Sequence, residues 1–279
     1  MRSLALLVAG LLLPALAGRT ADAVAALPPG VCQVGTLQHA MLKESSGIAP
    51  CRLDTSVFWT HNDGHHRTLY AVDRTGRDRG STQILAPFED WEDIASNHSG
   101  QLYLADTGNN HLQRTELRVY EIDEPDPGRM PQAVRVTRVW RLRFPKESFD
   151  CESLFVWQGH GYVISKVYDD ARATLYRFPL REAAEPLTLH RVTRLRVDSP
   201  VTGADLTADG RKLALVSRSG AALLDVDGDL KSAGEIKPFW VKFRHEHIEA
   251  CCFVPEGLLA TAESREIYLF SAPPFRPVP

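Results

Sequence analysis

The chain has 279 residues and a net charge of −3 at pH 7, with 32 Lys and Arg residues dispersed along it. A chain of this length can bury a large core, and the dispersed basic residues argue against a nucleic-acid-binding surface. Beyond the N-terminus, no segment is long and apolar enough to cross a membrane.

The N-terminus has the features of an export signal. Arg2 provides a positive charge, residues 4–13 form an apolar stretch, and Ala15-Leu16-Ala17 fits an A-x-A cleavage pattern. The stretch is too short for a permanent anchor across a hydrocarbon core about 30 Å thick, although an uncleaved anchor is the alternative. We predict a periplasmic or secreted protein with a signal peptide (1–17), a flexible segment (18–31) and a single domain (32–279).

The five cysteines can form disulfides if the protein resides in an oxidising compartment. In an oxidising environment Cys32 can pair with Cys51, and Cys151 with Cys251 or Cys252, but the sequence leaves the connectivity open. The alternative, for at least two of them, is a role as small apolar residues on inner strands. No zinc motif is present, because the adjacent cysteines lack the C-x-x-C loop that wraps the metal.

Five segments repeat one pattern, a carboxylate among small and apolar residues. They recur about every 44 to 60 residues, which is the length of a four-stranded propeller blade. The repeated carboxylates are Glu44, Glu92, Glu152, Asp205 and Glu249. The pattern predicts an all-β fold, a five-bladed β-propeller. Six blades is the alternative, if the long interval between the second and third acids contains a further blade.

Apolar strands follow each repeated acid. In the first repeat residues 58–63 are followed by Leu69–Val72, and the later repeats show the same succession. The last repeat ends after its third strand, at Ile267–Phe270. We predict that residues 32–41 supply the missing fourth strand, so that the N-terminal strand closes the ring and removes an exposed sheet edge.

The repeated acids predict a metal site. The first strand of each propeller blade lines the central channel, so equivalent positions on these strands converge. Carboxylates at short range destabilise one another unless a cation binds or protons are taken up. An all-oxygen ring favours Ca²⁺, which accepts six to eight oxygen ligands. The alternative is that the acids accept backbone N–H groups and tie the blades together.

The second strands end in charged residues that differ from blade to blade: Asp63, Asp106, Lys166, Arg218 and Glu263. We expect Lys166, Arg218 and Glu263 to bind the substrate, with the two basic residues holding a small anion such as a phosphate, while Asp63, Asp106 or His61 transfers protons. The predicted function is metal-dependent hydrolysis of a phosphoester or phosphoanhydride. The alternative is a non-enzymatic envelope scaffold or ligand-binding propeller.

Several motifs resemble a group of exported bacterial β-propellers of mostly unknown function: Glu44-Ser-Ser-Gly-Ile, Thr60-His-Asn-Asp-Gly, Asp90-Trp-Glu-Asp-Ile-Ala and Ala105-Asp-Thr-Gly-Asn-Asn. Ser46-Gly47, Glu92, Glu152 and Glu249 are more distantly similar to the calcium-activated nucleotidases (apyrases). That resemblance implies five blades and Ca²⁺ in a tunnel lined by Glu and Ser, although Asp205 stands where a Ser is expected. We expect a monomer, and the sequence identifies no protein partner.

Overall fold

The structure, a computed structural model, describes residues 27–97, 99–168, 172–197, 200–245 and 247–276. The predicted signal peptide and residues 18–26 lie outside the described residues. The fold is all-β, with single-turn 3-10 helices at Pro127–Arg129, Ser232–Gly234 and Pro273–Phe275. Within the described ranges, no helix combines the length and the apolar character needed to cross a membrane.

Five β-sheets form the blades, which we number in the order of their inner strands. From the inside outward, blade 1 contains β2 (Ser45–Pro50), β3 (Val57–Asn62), β4 (Thr68–Asp73), β5 (Asp78–Leu85) and β9 (Ala133–Arg135). Blade 2 contains β6 (Trp91–Ser96), β7 (Gln101–Asp106), β8 (Glu116–Asp123), β10 (Arg138–Arg143) and β14 (Leu187–Thr188).

The remaining blades have four strands each. Blade 3 contains β11 (Asp150–Trp157), β12 (His160–Lys166), β13 (Thr174–Pro179) and β15 (His190–Arg194). Blade 4 contains β16 (Val201–Leu206), β17 (Lys212–Ser217), β18 (Gly220–Asp225) and β19 (Phe239–Lys242). Blade 5 contains β20 (Ile248–Val254), β21 (Gly257–Ala262), β22 (Glu266–Phe270) and β1 (Val31–Thr36).

The ring of blades is closed as predicted. Strand β1 pairs antiparallel with β22, from Val31 opposite Phe270 to Thr36 opposite Glu266. Each inner strand packs against the next, and β20 packs against β2. The long interval between Glu92 and Glu152 contains no sixth blade, because its additional strand, β9, pairs with β5 at the outer edge of blade 1. The five-bladed prediction is therefore confirmed.

The core lies between the blades. Buried apolar side chains of the described residues form five clusters, one at each junction of neighbouring blades. Inner strands such as β3 are buried on both faces, whereas the outer strand β10 alternates between buried and exposed residues. This pattern follows from sheets that pack face to face and leave only their outer edges in water.

All five cysteines are unpaired, and four of them are buried. Cys151 lies on β11 whereas Cys251 and Cys252 lie on β20, with the inner strand of blade 4 between these two strands. The disulfides considered from the sequence are therefore absent. The buried cysteines instead pack as small apolar residues, which is the alternative considered from the sequence. Burial raises the pKa of the Cys51 thiol to about 11, as expected of a thiol in such a position.

Candidate metal centre

A β-bulge near the start of every inner strand determines which residues are equivalent. The shift in pairing lies between Ser45 and Gly47 in β2 and at corresponding places in the other four strands. The residues at the bulges are Ser46, Glu92, Glu152 (with Ser153), Thr202 and Glu249. A bulge re-aims one side chain relative to regular pairing. Glu92, Glu152 and Glu249 therefore occupy equivalent bulge positions. Glu44 and Asp205, which the repeat pattern aligned with them, do not.

Four of the bulge residues meet in what we call the acidic cavity, an opening of about 350 Å³ at one end of the channel. Its lining residues are Ser46, Asp63, Glu92, Asn110, Glu152, Lys166, Tyr168, Arg218, His247, Glu249 and Glu263. The fifth bulge residue, Thr202, instead donates a hydrogen bond from its hydroxyl to the carbonyl of Ile248 at 2.7 Å. The cavity thus joins three predicted metal ligands to four of the predicted second-strand charges.

Glu44 and Asp205 lie outside the acidic cavity. Glu44 is exposed two residues before the blade 1 bulge. Asp205 lies three residues beyond its bulge and accepts hydrogen bonds from the backbone N–H groups of Leu206 and Phe253, both at 2.8 Å. Since Phe253 belongs to blade 5, Asp205 ties blades 4 and 5 together. Asp205 is therefore not a metal ligand in this structure. It accepts backbone N–H groups and connects two blades, which is the alternative role considered for the repeated acids.

Asp106 holds the loop before β6 in place and does not take part in the acidic cavity. It lies opposite Trp91, as Asn62 lies opposite Ser45 in blade 1. The Oδ1 atom of Asp106 accepts the backbone N–H groups of Glu89 and Asp90 at 3.1 and 2.8 Å, and Asn62 holds the equivalent loop in the same way. Asp106 is therefore one residue out of register with Asp63, and it does not line the acidic cavity.

His61 lies in the core between blades 1 and 2 rather than at the rim where the sequence placed it. Its ring stacks on Trp91 with 3.9 Å between ring centroids, and its Nδ1 lies 2.9 Å from the carbonyl of Asn62. Burial lowers the pKa of His61 to about 3, so the imidazole is neutral. It does not reach the acidic cavity to transfer protons there.

Two overlapping groups of carboxylates can hold a metal ion. Oxygen atoms of Asp63, Asp90 and Glu92 lie within 4.8 Å of one another, and the same holds for Glu92, Asp150 and Glu152. Glu92, Asp150 and Glu152 are only 3 %, 5 % and 6 % exposed. One oxygen of each, and Oδ1 of Asp63, has no hydrogen-bond partner among the described residues. A buried carboxylate oxygen without a donor is costly, which favours a ligand at this position.

Asp90 and Asp150 are site residues that the repeat pattern did not predict, although the sequence contains a signal for them. Each stands two residues before a bulge Glu, in Asp90-Trp91-Glu92 and Asp150-Cys151-Glu152. Alternate residues of a strand point to the same side, so an acid-x-acid pair places two carboxylates together. The corresponding position in blade 5 is His247, a lining residue of the cavity.

The loop after β7, residues 107–110, positions these acids. Thr107 donates to the carbonyl of Cys151 at 2.9 Å, which ties blade 2 to blade 3. The backbone N–H groups of Asn109 and Cys151 donate to Oδ1 of Asp150 at 2.7 and 2.9 Å, and leave its Oδ2 without a donor. A Cβ at Gly108 would overlap the carboxylates of Glu92 and Asp90, so this close approach requires glycine.

Burial governs the charge state of the cavity. It raises the pKa of Glu92, and the neighbouring Glu152 raises it further. Burial followed by the charge of Asp90 raises the pKa of Asp63 to about 6. Burial followed by the charge of Glu152 raises the pKa of Glu249 to about 9. Glu249 therefore holds a proton at neutral pH, and a bound cation would favour the ionised form of these carboxyl groups.

Two basic side chains face the acids. The Lys166 ammonium makes an ion pair with Oε1 of Glu152, and both side chains are at most 9 % exposed. Burial disfavours the charge on Lys166, but the adjacent carboxylate outweighs it and raises the pKa of the lysine. Burial nevertheless raises the pKa of Glu152, because Lys166 offsets only part of its desolvation. The Arg218 guanidinium lies 5.9 Å from the Tyr168 ring centroid and makes no ion pair with any described residue.

A second opening lies at the opposite end of the inner strands. This wide cleft of about 1050 Å³ is lined by the other ends of the same strands and by their turns, with aromatic side chains including Tyr103, Trp157 and Phe253. Asp205 is its acidic lining residue, and both carboxylate oxygens of Asp205 accept backbone hydrogen bonds.

Comparisons with known proteins show no family. No protein-family model matches the chain, and no curated protein matches it. Solved structures that match include Kuenenia stuttgartiensis hydrazine synthase, at 13 % identity and a TM-score of 0.47, covering 82 % of this chain and 72 % of that one. A nidogen/laminin complex matches at 13 % identity and a TM-score of 0.47, covering 83 % and 84 %.

A third match is a mitotic checkpoint complex, at 14 % identity and a TM-score of 0.41, covering 91 % of this chain and 68 % of that one. Similarities this distant say nothing about activity. The resemblances to exported bacterial propellers and to the nucleotidases therefore stay predictions, and the five-bladed fold rests on the sheet topology of the chain itself.

Proposed function

We propose that the acidic cavity binds a divalent cation, Ca²⁺, and that the protein uses this cation to hydrolyse a small phosphate-containing substrate. The observation that carries the proposal is the set of buried, unpartnered oxygens on Glu92, Asp150 and Glu152 within 4.8 Å of one another. Since buried carboxylate oxygens without donors are unfavourable at such short range, a bound cation is the simplest way to stabilise them.

The donor set supports Ca²⁺ in particular. The two acid groups consist only of carboxylates, and Ser46 and Asn110 add neutral oxygens to the lining. Ca²⁺ accepts six to eight oxygen ligands in flexible geometry, whereas Zn²⁺ favours imidazole and thiolate. Among the described lining residues, His247 is the only nitrogen donor of that kind.

The basic side of the cavity supports an anionic substrate. Lys166 and Arg218 lie among the same lining residues as the acids, and both are suited to phosphate oxygens. Asp63 belongs to the first acid group and has an unpartnered oxygen, and its pKa of about 6 suits a general base near neutral pH. In the proposed reaction Asp63 accepts a proton from water, the water oxygen bonds to phosphorus as the bond to the leaving group breaks, and the proton passes to that group, while the basic side chains hold the phosphate.

A non-enzymatic propeller is the second candidate, and one observation favours it. Asp93 accepts the backbone N–H groups of Ile94 and Leu154 at 2.8 and 2.6 Å, and so joins blade 2 to blade 3 as Asp205 joins blade 4 to blade 5. Some acids of the inner strands thus serve only to hold the ring together.

Calorimetric titration and thermal unfolding test the cation site. We expect Ca²⁺ to raise the melting temperature of chelator-treated protein, and Glu152→Gln to weaken binding by at least roughly tenfold through loss of a charged ligand. Glu44→Gln is the matched control: Glu44 belongs to the same sequence repeat, but the structure leaves it exposed outside the cavity, so this variant should change Ca²⁺ affinity far less than Glu152→Gln does. A melting temperature insensitive to Ca²⁺, Mg²⁺ and chelator would refute the cation site.

A substrate panel tests the catalytic part. The protein is incubated with Ca²⁺ and nucleoside diphosphates, phosphomonoesters, phytate or lactones, and phosphate or acid release is measured. We expect release of phosphate from at least one phosphate compound, and its loss in Asp63→Asn. No turnover by a protein that still binds Ca²⁺ would favour the non-enzymatic candidate.

We also propose that the protein is exported, on the basis of the basic residue, apolar stretch and cleavage pattern at its N-terminus. Mass spectrometry of the mature N-terminus tests this, and a chain that retains Met1 to Ala17 would contradict it.

A further inference from the structure

We propose that Lys166 is a built-in cation that occupies the metal site in the metal-free protein, and that Ca²⁺ displaces it to complete a phosphate-binding site with Arg218. This inference rests on the proposed metal site and adds the order in which the metal ion and the anion bind. Metal binding would come first, and the anion site would be complete only afterwards.

Glu152 is shared between Lys166 and the candidate metal group. One oxygen of this carboxylate contacts the Lys166 ammonium, and the other is unpartnered within the group formed with Glu92 and Asp150. A divalent cation at that group would lie close to the ammonium. Because like charges repel strongly where water is excluded, both cannot keep Glu152 as their partner.

The Lys166 ammonium can contact the Tyr168 ring instead of Glu152. Its ammonium lies 5.9 Å from the Tyr168 ring centroid, and the Arg218 guanidinium lies 5.9 Å from the same centroid. A lysine stem of four carbons can turn from Glu152 toward this ring without any backbone movement. The two basic groups would then flank Tyr168 at the mouth of the cavity.

Arg218 and Lys166 together suit a phosphate ligand. Arg218 makes no ion pair with a described residue, so it already offers a guanidinium to an anion. An arginine fork and a three-donor ammonium together suit the oxygens of a phosphate group, whose other oxygens can contact the cation. The site therefore selects a small phosphate-bearing anion, and only in the metal-bound state.

A consequence is reciprocal coupling. If Ca²⁺ creates the anion site, it raises the affinity for phosphate, and phosphate must raise the affinity for Ca²⁺ by the same factor.

Calorimetric titration of Lys166→Met with Ca²⁺ provides the test. Removing the competing ammonium should tighten Ca²⁺ binding by roughly tenfold, a typical coupling factor between sites, whereas removing a merely structural lysine would weaken it. Lys242→Met is the control, since this exposed lysine packs on Trp240 at the outer edge of blade 4. Monomethyl phosphate, titrated with and without Ca²⁺, should gain roughly tenfold in affinity with the wild type and clearly less with Lys166→Met, in which only Arg218 and the cation contact it.

The outcomes separate the two proposals. Equal or weaker Ca²⁺ binding by Lys166→Met overturns the inference while leaving the metal site intact. Binding by Lys166→Met but not by the wild type overturns both, because Ca²⁺ then does not displace the ammonium in the native protein. Binding by neither overturns both. If Lys166→Met does not fold, Lys166→Gln replaces it, and crystal structures of the wild type with and without Ca²⁺ decide directly: an ammonium still paired with Glu152 beside bound Ca²⁺ overturns the inference.

Discussion

The buried acids at the two ends of the inner strands differ in the hydrogen bonds that their carboxylate oxygens accept. At the acidic cavity, Glu92, Asp150 and Glu152 each have a carboxylate oxygen without a donor. At the wide cleft, Asp205 uses both oxygens to accept backbone N–H groups. Burial raises the pKa of Asp205 to about 7 as well, so desolvation alone does not separate the two kinds of acid. The difference is whether both carboxylate oxygens have donors, and a buried carboxylate with one oxygen left without a donor is the candidate ligand.

The largest effect should come from breaking the tie at the wide cleft. Asp205→Ala leaves the N–H groups of Leu206 and Phe253 without acceptors, which should lower the free energy of unfolding by about 3 kcal/mol. Urea unfolding measures the loss, and calorimetry should show unchanged Ca²⁺ binding. If Asp205→Ala weakened Ca²⁺ binding as much as Glu152→Gln, the distinction between the two ends would fail.

A smaller effect should appear as the pH is changed. A carboxyl whose pKa is raised in the folded state keeps a proton that the unfolded chain has lost, so the free energy of unfolding falls as the pH rises between the two pKa values. For Glu249 this window runs from 4.5 to about 9. In chelator, its contribution should fall by about 2 kcal/mol between about pH 5.5 and about pH 7.5.

Urea unfolding at these two pH values tests that prediction. Glu249→Gln should flatten the dependence, because the glutamine does not titrate. In the presence of Ca²⁺ the trend should weaken or reverse, since metal ligands must be deprotonated and the cation then binds better at higher pH. A metal-free wild type that gains stability over the same interval would contradict the charge state described for the cavity.

The smallest effect should come from filling the space beside the acids. Gly108→Ala pushes the carboxylates of Glu92 and Asp90 apart, and displacing supported ligands typically costs roughly tenfold in metal affinity. Calorimetry measures the change. Gly128→Ala is the control, because its added Cβ meets only the Asp126 carboxylate at 3.3 Å, far along the chain from the cavity. Equal Ca²⁺ affinities of the two variants would show that Gly108 does not shape the site.

The amino-acid sequence by itself determined the number of blades, the closing role of the N-terminal strand and the convergence of Glu92, Glu152 and Glu249 with Lys166 and Arg218. These features follow from local properties, namely strand periodicity and repeat length, which are readable without knowing what packs against what. The repeat also placed Asp63 and Glu263 at the correct rim.

Only the tertiary structure decided the register of Glu44 and Asp205, the burial of His61 and the structural position of Asp106. It also added Asp90 and Asp150 to the site. Each of these depends on a bulge or on a contact between residues far apart in the chain, such as Asp205 with Phe253 or Asn109 with Asp150. A repeated acid has the same appearance in every blade, and the donors that surround it in the folded chain decide whether it is a tie or a ligand.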